Sequence, residues 1–453
     1  MSEAALRQDN RLSFTDQLLF LGQRATGQEL AMQAVWVYER PVDTDGIRRF
    51  HENFGYGLFG RRIERSPLPF GRHRWVSSLG PPTGIGFAER PRPRSELGDW
   101  VDERTQLPLD PEWGPGWHLG VLPMTDGSTA VSLVLSHCLA DGFGALLTIV
   151  DGIKGNRRDL GYPSPRSRGR LRTAAADLWL TVRGAPETGR TAATAVRQAV
   201  RRRAEFTGTR GPRPGLTSGA GNDVTVVAPA VTIYVDLDEW DARAKALGGS
   251  SHSLAAGFAA RLGDRMGRRR AADGAVTLQI PISDRTPDDT RANAASIATV
   301  SVDPAGVTAD LSDARAAIKQ ALAAMRETPD ETLQLLPLTP FIPKRAVKRG
   351  SDVVFNFADL PVSFSNLGDV DPVVARLDGS DADYVMLRGI DRQVTREYLE
   401  RRGGLLTILT GRIGGKMSIT VVGYRAAAQN SKARLRELAA DTLSEFGLTG
   451  VIE

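Results

Sequence analysis

The sequence is poor in the residues that cross-link small folds or bind metals. A single cysteine, Cys138, excludes an internal disulfide and suits a reducing cytoplasm. Histidines number only five, and no clustering of His, Cys and acids suggests a zinc or iron site, so no metal and no permanently bound cofactor is expected. No long uninterrupted apolar run is present. The most apolar stretch, residues 130–150, carries His137 and Asp141 at its middle and reads as a strand, a loop and a helix start rather than a membrane span. The polar opening MSEAALRQDNRL has no apolar stretch behind it that would act as a secretory signal. The expectation is a cytoplasmic protein, with peripheral contact at the inner membrane face left open. Aromatics are scarce as well, at 6%. The arginine-dense stretch between Arg157 and Arg213 is not interleaved with them in the manner of a nucleic-acid surface, and no nucleic-acid partner is expected.

What is present is a chain of 453 residues, 41% hydrophobic and 25% charged, which is a globular balance and a length for two domains. The pattern is mixed α/β (α+β). Residues 1–155 alternate helices and strands: a helix from Leu12 with Ser13 or Thr15 as its cap, a strand over Ala31–Tyr38, a helix over Asp43–Gly55, and a hairpin of Trp117–Leu122 and Ala130–Ser136 turning at Thr125–Gly127. Residues 156–222 form a basic helical linker. Within it Leu171, Ala174, Ala175, Leu178, Trp179 and Val182 make one apolar stripe, expected to pack on a neighbouring domain, with basic flanks that also suit a membrane surface. Its arginines read first as a solvated face, otherwise as partners for anionic lipid or for phosphates. Residues 223–453 make a second α/β domain: strands near 224–235, 275–280, 298–302, 352–357, 405–410 and 417–424, and helices over 254–268, 312–325 and 431–446. Ala316, Ala317, Gln320, Ala321 and Ala324 are expected to give the 312–325 helix a small-residue packing face.

The densest chemistry lies at the end of the Ala130–Ser136 strand. His137 follows where the strand runs out, Asp141 comes four residues later, and Gly142 and Gly144 mark a sharp change of direction. A lone histidine is by default a packed side chain. A carboxylate and a glycine turn set this one apart from His51, His73, His118 and His252.

His137-Cys-Leu-Ala-Asp141-Gly142 resembles the HxxxDG motif of the CoA-dependent acyltransferase superfamily. That group includes peptide-synthetase condensation domains, wax ester synthase/diacylglycerol acyltransferases, polyketide-associated acyltransferases of actinobacteria and chloramphenicol acetyltransferase. Pro281-Ile-Ser-Asp-Arg285 followed by Asn293 is similar to the family's P-V-S-x-R…N element, and Ser363-Phe-Ser365-Asn366-Leu-Gly368 to its S-N-x-G segment. Leu12-Ser-Phe-Thr-Asp16 resembles the family's first helix, and GRRIERSP its early arginine-rich strand. The resemblance spans nearly the whole chain in the right order. One departure is Ser136, where condensation domains and wax ester synthases usually carry the first of two histidines.

The resemblance implies two chloramphenicol-acetyltransferase-like domains forming a V with a central tunnel, and His137 as the general base at its middle. A neutral imidazole can take the proton of an attacking alcohol at physiological pH. Asp141 is expected to pair with Arg285 and hold the loop rather than orient the imidazole. Gly142 would allow close backbone approach and offer its amide to an oxyanion, and Ser365 and Asn366 are further oxyanion or substrate contacts or simply a self-bonded turn. Cys138 is not expected to be a nucleophile. The leading expectation is an acyl-CoA-dependent O-acyltransferase of lipid or secondary metabolism, with an acyl thioester and an alcohol or lipid acceptor as partners. The alternatives are acyl transfer from an acyl carrier protein and a catalytically silent binding module.

Overall fold

The structure is a computed structural model that describes residues 10–167, 169–183, 186, 224–286, 288–327, 333–342 and 360–453. Ser13 caps α1 (Phe14–Thr26) by accepting from the Asp16 amide, and Gly27, at φ +76°, ends it. There follow β1 (Glu29–Tyr38), α2 (Thr44–Phe54), β2 (Arg61–Glu64), β3 (Arg74–Ser77), β4 (Gly86–Phe87) and α3 (Leu97–Gln106). The hairpin of β5 (Trp117–Pro123) and β6 (Thr129–Ser136) turns at Gly127, φ +89°, and leads into α4 (Gly142–Lys154) and the helical residues 170–183 (α5). The second half holds β7 (Ala230–Asp236), α6 (Leu237–Ala246), α7 (Ser251–Arg265), β8 (Val276–Ser283), β9 (Ala295–Val302) and α8 (Ser312–Glu327). It closes with β10 (Val362–Asp369), β11 (Tyr384–Arg392), α9 (Arg396–Arg402), β12 (Leu405–Ile413), β13 (Lys416–Tyr424), α10 (Lys432–Glu445) and β14 (Val451–Ile452). The strand expected over 352–357 and residues 187–222 of the expected linker lie outside the described residues.

Two sheets organise the chain into two lobes. A five-stranded sheet runs β11-β1-β6-β5-β4, and a seven-stranded sheet runs β14-β7-β13-β12-β10-β8-β9. β6 is buried along its whole length: Val131, Leu133 and Leu135 lie on one face, and on the other Ser132, beside Ala130 and Val134, accepts from Gln33 Nε2 at 2.8 Å. In the second lobe α7 presents Ala255, Ala256, Gly257, Ala259 and Ala260 to the core, and this lack of bulk lets it lie close to the sheet. A Cβ on Gly263 would sit 2.9 Å from Val362 Cγ2.

The lobes are interlocked rather than strung together. β11 leaves the second half of the sequence and pairs antiparallel with β1, from Glu29 opposite Arg392 to Val37 opposite Tyr384. The loop before β9 reaches across in the same way: Ala292 is fully buried in the core of the first lobe.

Two packing faces differ from expectation. α8 buries Ala314 and Ile318, with Ala317, Ala321, Leu322 and Met325 packed behind, while Ala316, Gln320 and Ala324 face out. The larger apolar side chains decide the rotation because they remove more surface from water than alanines do. The stripe of α5 is turned outward. Leu171, Leu178, Trp179 and Val182 are exposed, whereas Thr173 and Asp177 are buried. Asp177 pairs with the buried Arg74 and accepts from Ser66 Oγ at 2.6 Å, so a buried ion pair sets the helix rotation.

The same lobe buries three imidazoles, His51, His73 and His118, and burial lowers the pKa of each. His73 packs edge-on to Phe20, and burial together with the Arg65 charge pushes its pKa down to about 4. His118 faces the Arg104 guanidinium at 3.1 Å, and burial with that cation and Arg392 lowers it to about 3. In the unfolded chain both titrate near 6.5. Between these values the unfolded chain binds more protons, so stability is full above about pH 6.5 and is lost as pH falls toward 4. Urea midpoints at pH 7 and pH 5 should differ in that direction, and His73→Gln should flatten the difference. A midpoint that does not move would refute the enclosure.

Candidate active site

His137 is the first residue beyond β6. Its amide donates to Leu30 O at 3.1 Å, continuing the β1–β6 ladder by one step, and its carbonyl accepts from Asn293 Nδ2 at 3.4 Å. The side chain is half-buried. Its Nδ1 is enclosed with no partner among the described residues, and Nε2 makes no hydrogen bond to any of them. The backbone therefore holds the residue from both sides.

Asp141 caps α4 by accepting from Gly144 N at 2.8 Å. Its Oδ1 also receives Arg285 Nε at 3.2 Å, and Oδ2 receives Arg285 Nη2 at 2.8 Å and Ala294 N at 2.9 Å. Both oxygens are occupied, and neither is hydrogen-bonded to the imidazole. Arg285 spends its remaining donors on the carbonyls of Asp289, Arg291 and Ala292. The pair is a clamp between the lobes, with side-chain exposures of 3% for Arg285 and 10% for Asp141.

A second carboxylate does the same work from α1. Asp16, fully buried, accepts from the amides of Ala292 and Asn293 at 3.0 and 2.8 Å and from Asn293 Nδ2 at 3.2 Å. Asn293 thus links Asp16 to the His137 carbonyl. Beneath them Arg61 of β2 donates to Leu139 O at 2.8 Å and Thr290 O at 2.5 Å, with its guanidinium 3.8 Å over the Trp75 ring. Its burial lowers its pKa, and carbonyls with an aromatic face stand in for a carboxylate. These residues sit in the resembling segments, yet nothing local assigns them roles. The contacts span 276 residues for Asp16–Ala292 and 229 for Arg61–Thr290.

Of the glycines, the second is the sterically demanding one. A Cβ on Gly142 would meet Leu367 Cδ2 at 3.5 Å, ordinary contact. On Gly144 it would fall 2.8 Å from Leu58 Cδ1 and 3.2 Å from both Arg285 Cζ and Asp141 Oδ1. Gly142 supplies a first-turn amide of α4, where N–H groups point out of the helix end. Cys138 is sealed in the core and donates to Gln23 Oε1 at 2.9 Å. Burial raises its pKa far from the thiolate range, which removes it as a nucleophile.

Ser365 and Asn366 lie on β10, whose neighbour Leu367 reaches Gly142. Asn366 is engaged at both ends: Oδ1 accepts from Gly368 N at 2.8 Å, and Nδ2 meets His252 Nδ1 at 2.8 Å. Because the amide N–H of Gly368 fixes the carboxamide orientation, His252 accepts at Nδ1, and burial lowers its pKa. Asn366 therefore serves the turn. The Ser365 hydroxyl has no hydrogen bond among the described residues. No group of three His, Cys, Asp or Glu side chains among those residues would hold a metal ion, and no helix there is long and apolar enough to cross a membrane.

The fold is that of the CoA-dependent acyltransferases and condensation domains. The first condensation domain of the CDA synthetase aligns at TM-score 0.56 with 11% identity, covering 98% of this chain and 99% of that one. Wax ester synthase/diacylglycerol acyltransferase from Marinobacter aquaeolei VT8 aligns at 0.56 with 16% identity, over 96% and 98% of the two chains. Trichothecene 15-O-acetyltransferase from Fusarium sporotrichioides aligns at 0.57 with 12% identity, over 96% and 94%. At such identities the likeness is one of fold. No family model matches the chain, and no curated protein matches it.

Proposed function

We propose that this chain transfers an acyl group from an acyl-CoA thioester to an alcohol, as an O-acyltransferase of lipid or secondary metabolism acting in the cytoplasm. The observation that carries the reading is the seating of His137: its backbone is fixed by Leu30 and Asn293 where the two lobes meet, and Nε2 makes no hydrogen bond among the described residues. Nε2 takes the hydroxyl proton as the acceptor oxygen bonds to the thioester carbonyl carbon. The tetrahedral adduct then collapses, the C–S bond breaks, and the imidazolium returns the proton to the leaving thiolate. Because the thioester is already activated, no covalent enzyme intermediate is needed. The Gly142 amide, at the positive end of α4, and the Ser365 hydroxyl are the donors proposed for the oxyanion. Asp141 and Arg285 act at one remove, by holding the loop.

The test is acceptor-dependent release of free thiol by the purified chain from a panel of acyl-CoAs with pooled alcohols and amines. Release that saturates in acyl-CoA supports the reading. The condensation-domain likeness supports a second reading, in which the donor is bound to an acyl carrier protein. Release only from carrier-bound thioesters would select it, and release from neither donor would leave a non-catalytic binding module.

A further inference from the structure

We propose that the outward face of α5 is a docking surface for an anionic lipid bilayer. The inference does not depend on acyl transfer. α5 is amphipathic in the reverse of the usual sense. Its polar stripe, Thr173 and Asp177, is turned into the protein and pinned by Arg74 and Ser66. Its apolar stripe faces water, with Leu171 88%, Leu178 51%, Trp179 58% and Val182 65% exposed. At about 100° per residue these four side chains and Ala175 fall on one arc, and Arg172 and Arg183 lie along its margin. The Arg183 guanidinium sits over the Trp179 ring at 5.2 Å. In the segment leading into the helix Arg166 is likewise placed over Trp113, itself 63% exposed, at 5.9 Å.

The charge pattern selects the occupant. Between Gly161 and Arg183 the only acid is Asp177, and it is buried in its ion pair. Arg166, Arg170, Arg172 and Arg183 are all exposed. An apolar arc with a tryptophan, bordered by arginines that form no ion pair among the described residues, matches the acyl boundary and anionic headgroups of a bilayer. A second copy of this chain fits poorly, because a two-fold contact would set this arginine margin against itself.

Co-sedimentation of the full chain with phosphatidylcholine vesicles, with and without phosphatidylglycerol, tests the proposal. Binding should require phosphatidylglycerol and weaken as salt is raised. Leu178→Glu/Trp179→Glu should reduce the bound fraction by at least about tenfold, with an unchanged melting temperature because both side chains face out. Arg172→Glu/Arg183→Glu, which leaves the apolar arc intact, should remove the phosphatidylglycerol dependence. Absence of vesicle binding, or binding equal in the wild type and both variants, overturns the proposal. So does a wild-type dimer that the Leu178→Glu/Trp179→Glu variant converts to monomer without any vesicle binding.

Discussion

His137→Ala is expected to lower acceptor-dependent thiol release by about 10²- to 10⁴-fold, up to about 5.5 kcal/mol of barrier. The urea midpoint should barely move. The imidazole makes no side-chain hydrogen bond among the described residues, and both backbone contacts, to Leu30 and from Asn293, survive in alanine. Loss of turnover with retained stability separates a chemical role from a structural one. Robust turnover in the variant would remove His137 as the base. Because the buried Cys138 lies beside it, Cys138→Ala is the matched control, and it should retain turnover.

Asp141→Ala is expected to destabilise the fold by about 3–5 kcal/mol, read from urea unfolding. The change strands the Arg285 charge in a site with 3% exposure and deprives the amides of Gly144 and Ala294 of their acceptor. It also removes the cap of α4. Asp141→Asn discriminates between the two roles open to this carboxylate. If Asp141 oriented the imidazole, the amide would cost orders of magnitude in turnover at little change in stability. With both oxygens committed to Arg285 and backbone amides, activity should instead fall only in step with stability. A stable but inactive Asp141→Asn protein would contradict the clamp.

Much of this site is legible locally. The β6 run, the histidine where it ends, the aspartate that caps α4 and the glycines of the turn are neighbours in sequence, and short-range backbone rules relate them. The Asp141–Arg285 pair was approachable only through the resemblance of Pro281–Arg285 and Asn293 to a known element. Asp16 and Arg61 lay in recognisable segments, but their partners at Ala292, Asn293, Leu139 and Thr290 are set by the meeting of the lobes. Asn366 is a similar case: its bond to Gly368 follows from an asparagine two residues before a glycine, whereas its bond to His252 joins β10 to α7.

By itself the sequence determined many of the elements, among them β1, α2, β5, β6 and α10, and the placing of His137 at a strand end, because each depends on residues a few positions apart; it did not show the strands β10 and β11 or the helices α3, α6 and α9. Tertiary structure alone decided that β11 completes the sheet of the first lobe, since strand pairing is made by backbone groups that carry no address in the side-chain pattern. It also decided which way the helices face. Apolar periodicity shows that α5 and α8 have stripes. Burial area turned α8 so that Ile318, Leu322 and Met325 pack inward with Ala314, Ala317 and Ala321 and leave Ala316 and Ala324 outside, and one buried ion pair, Arg74–Asp177, turned the apolar stripe of α5 toward solvent.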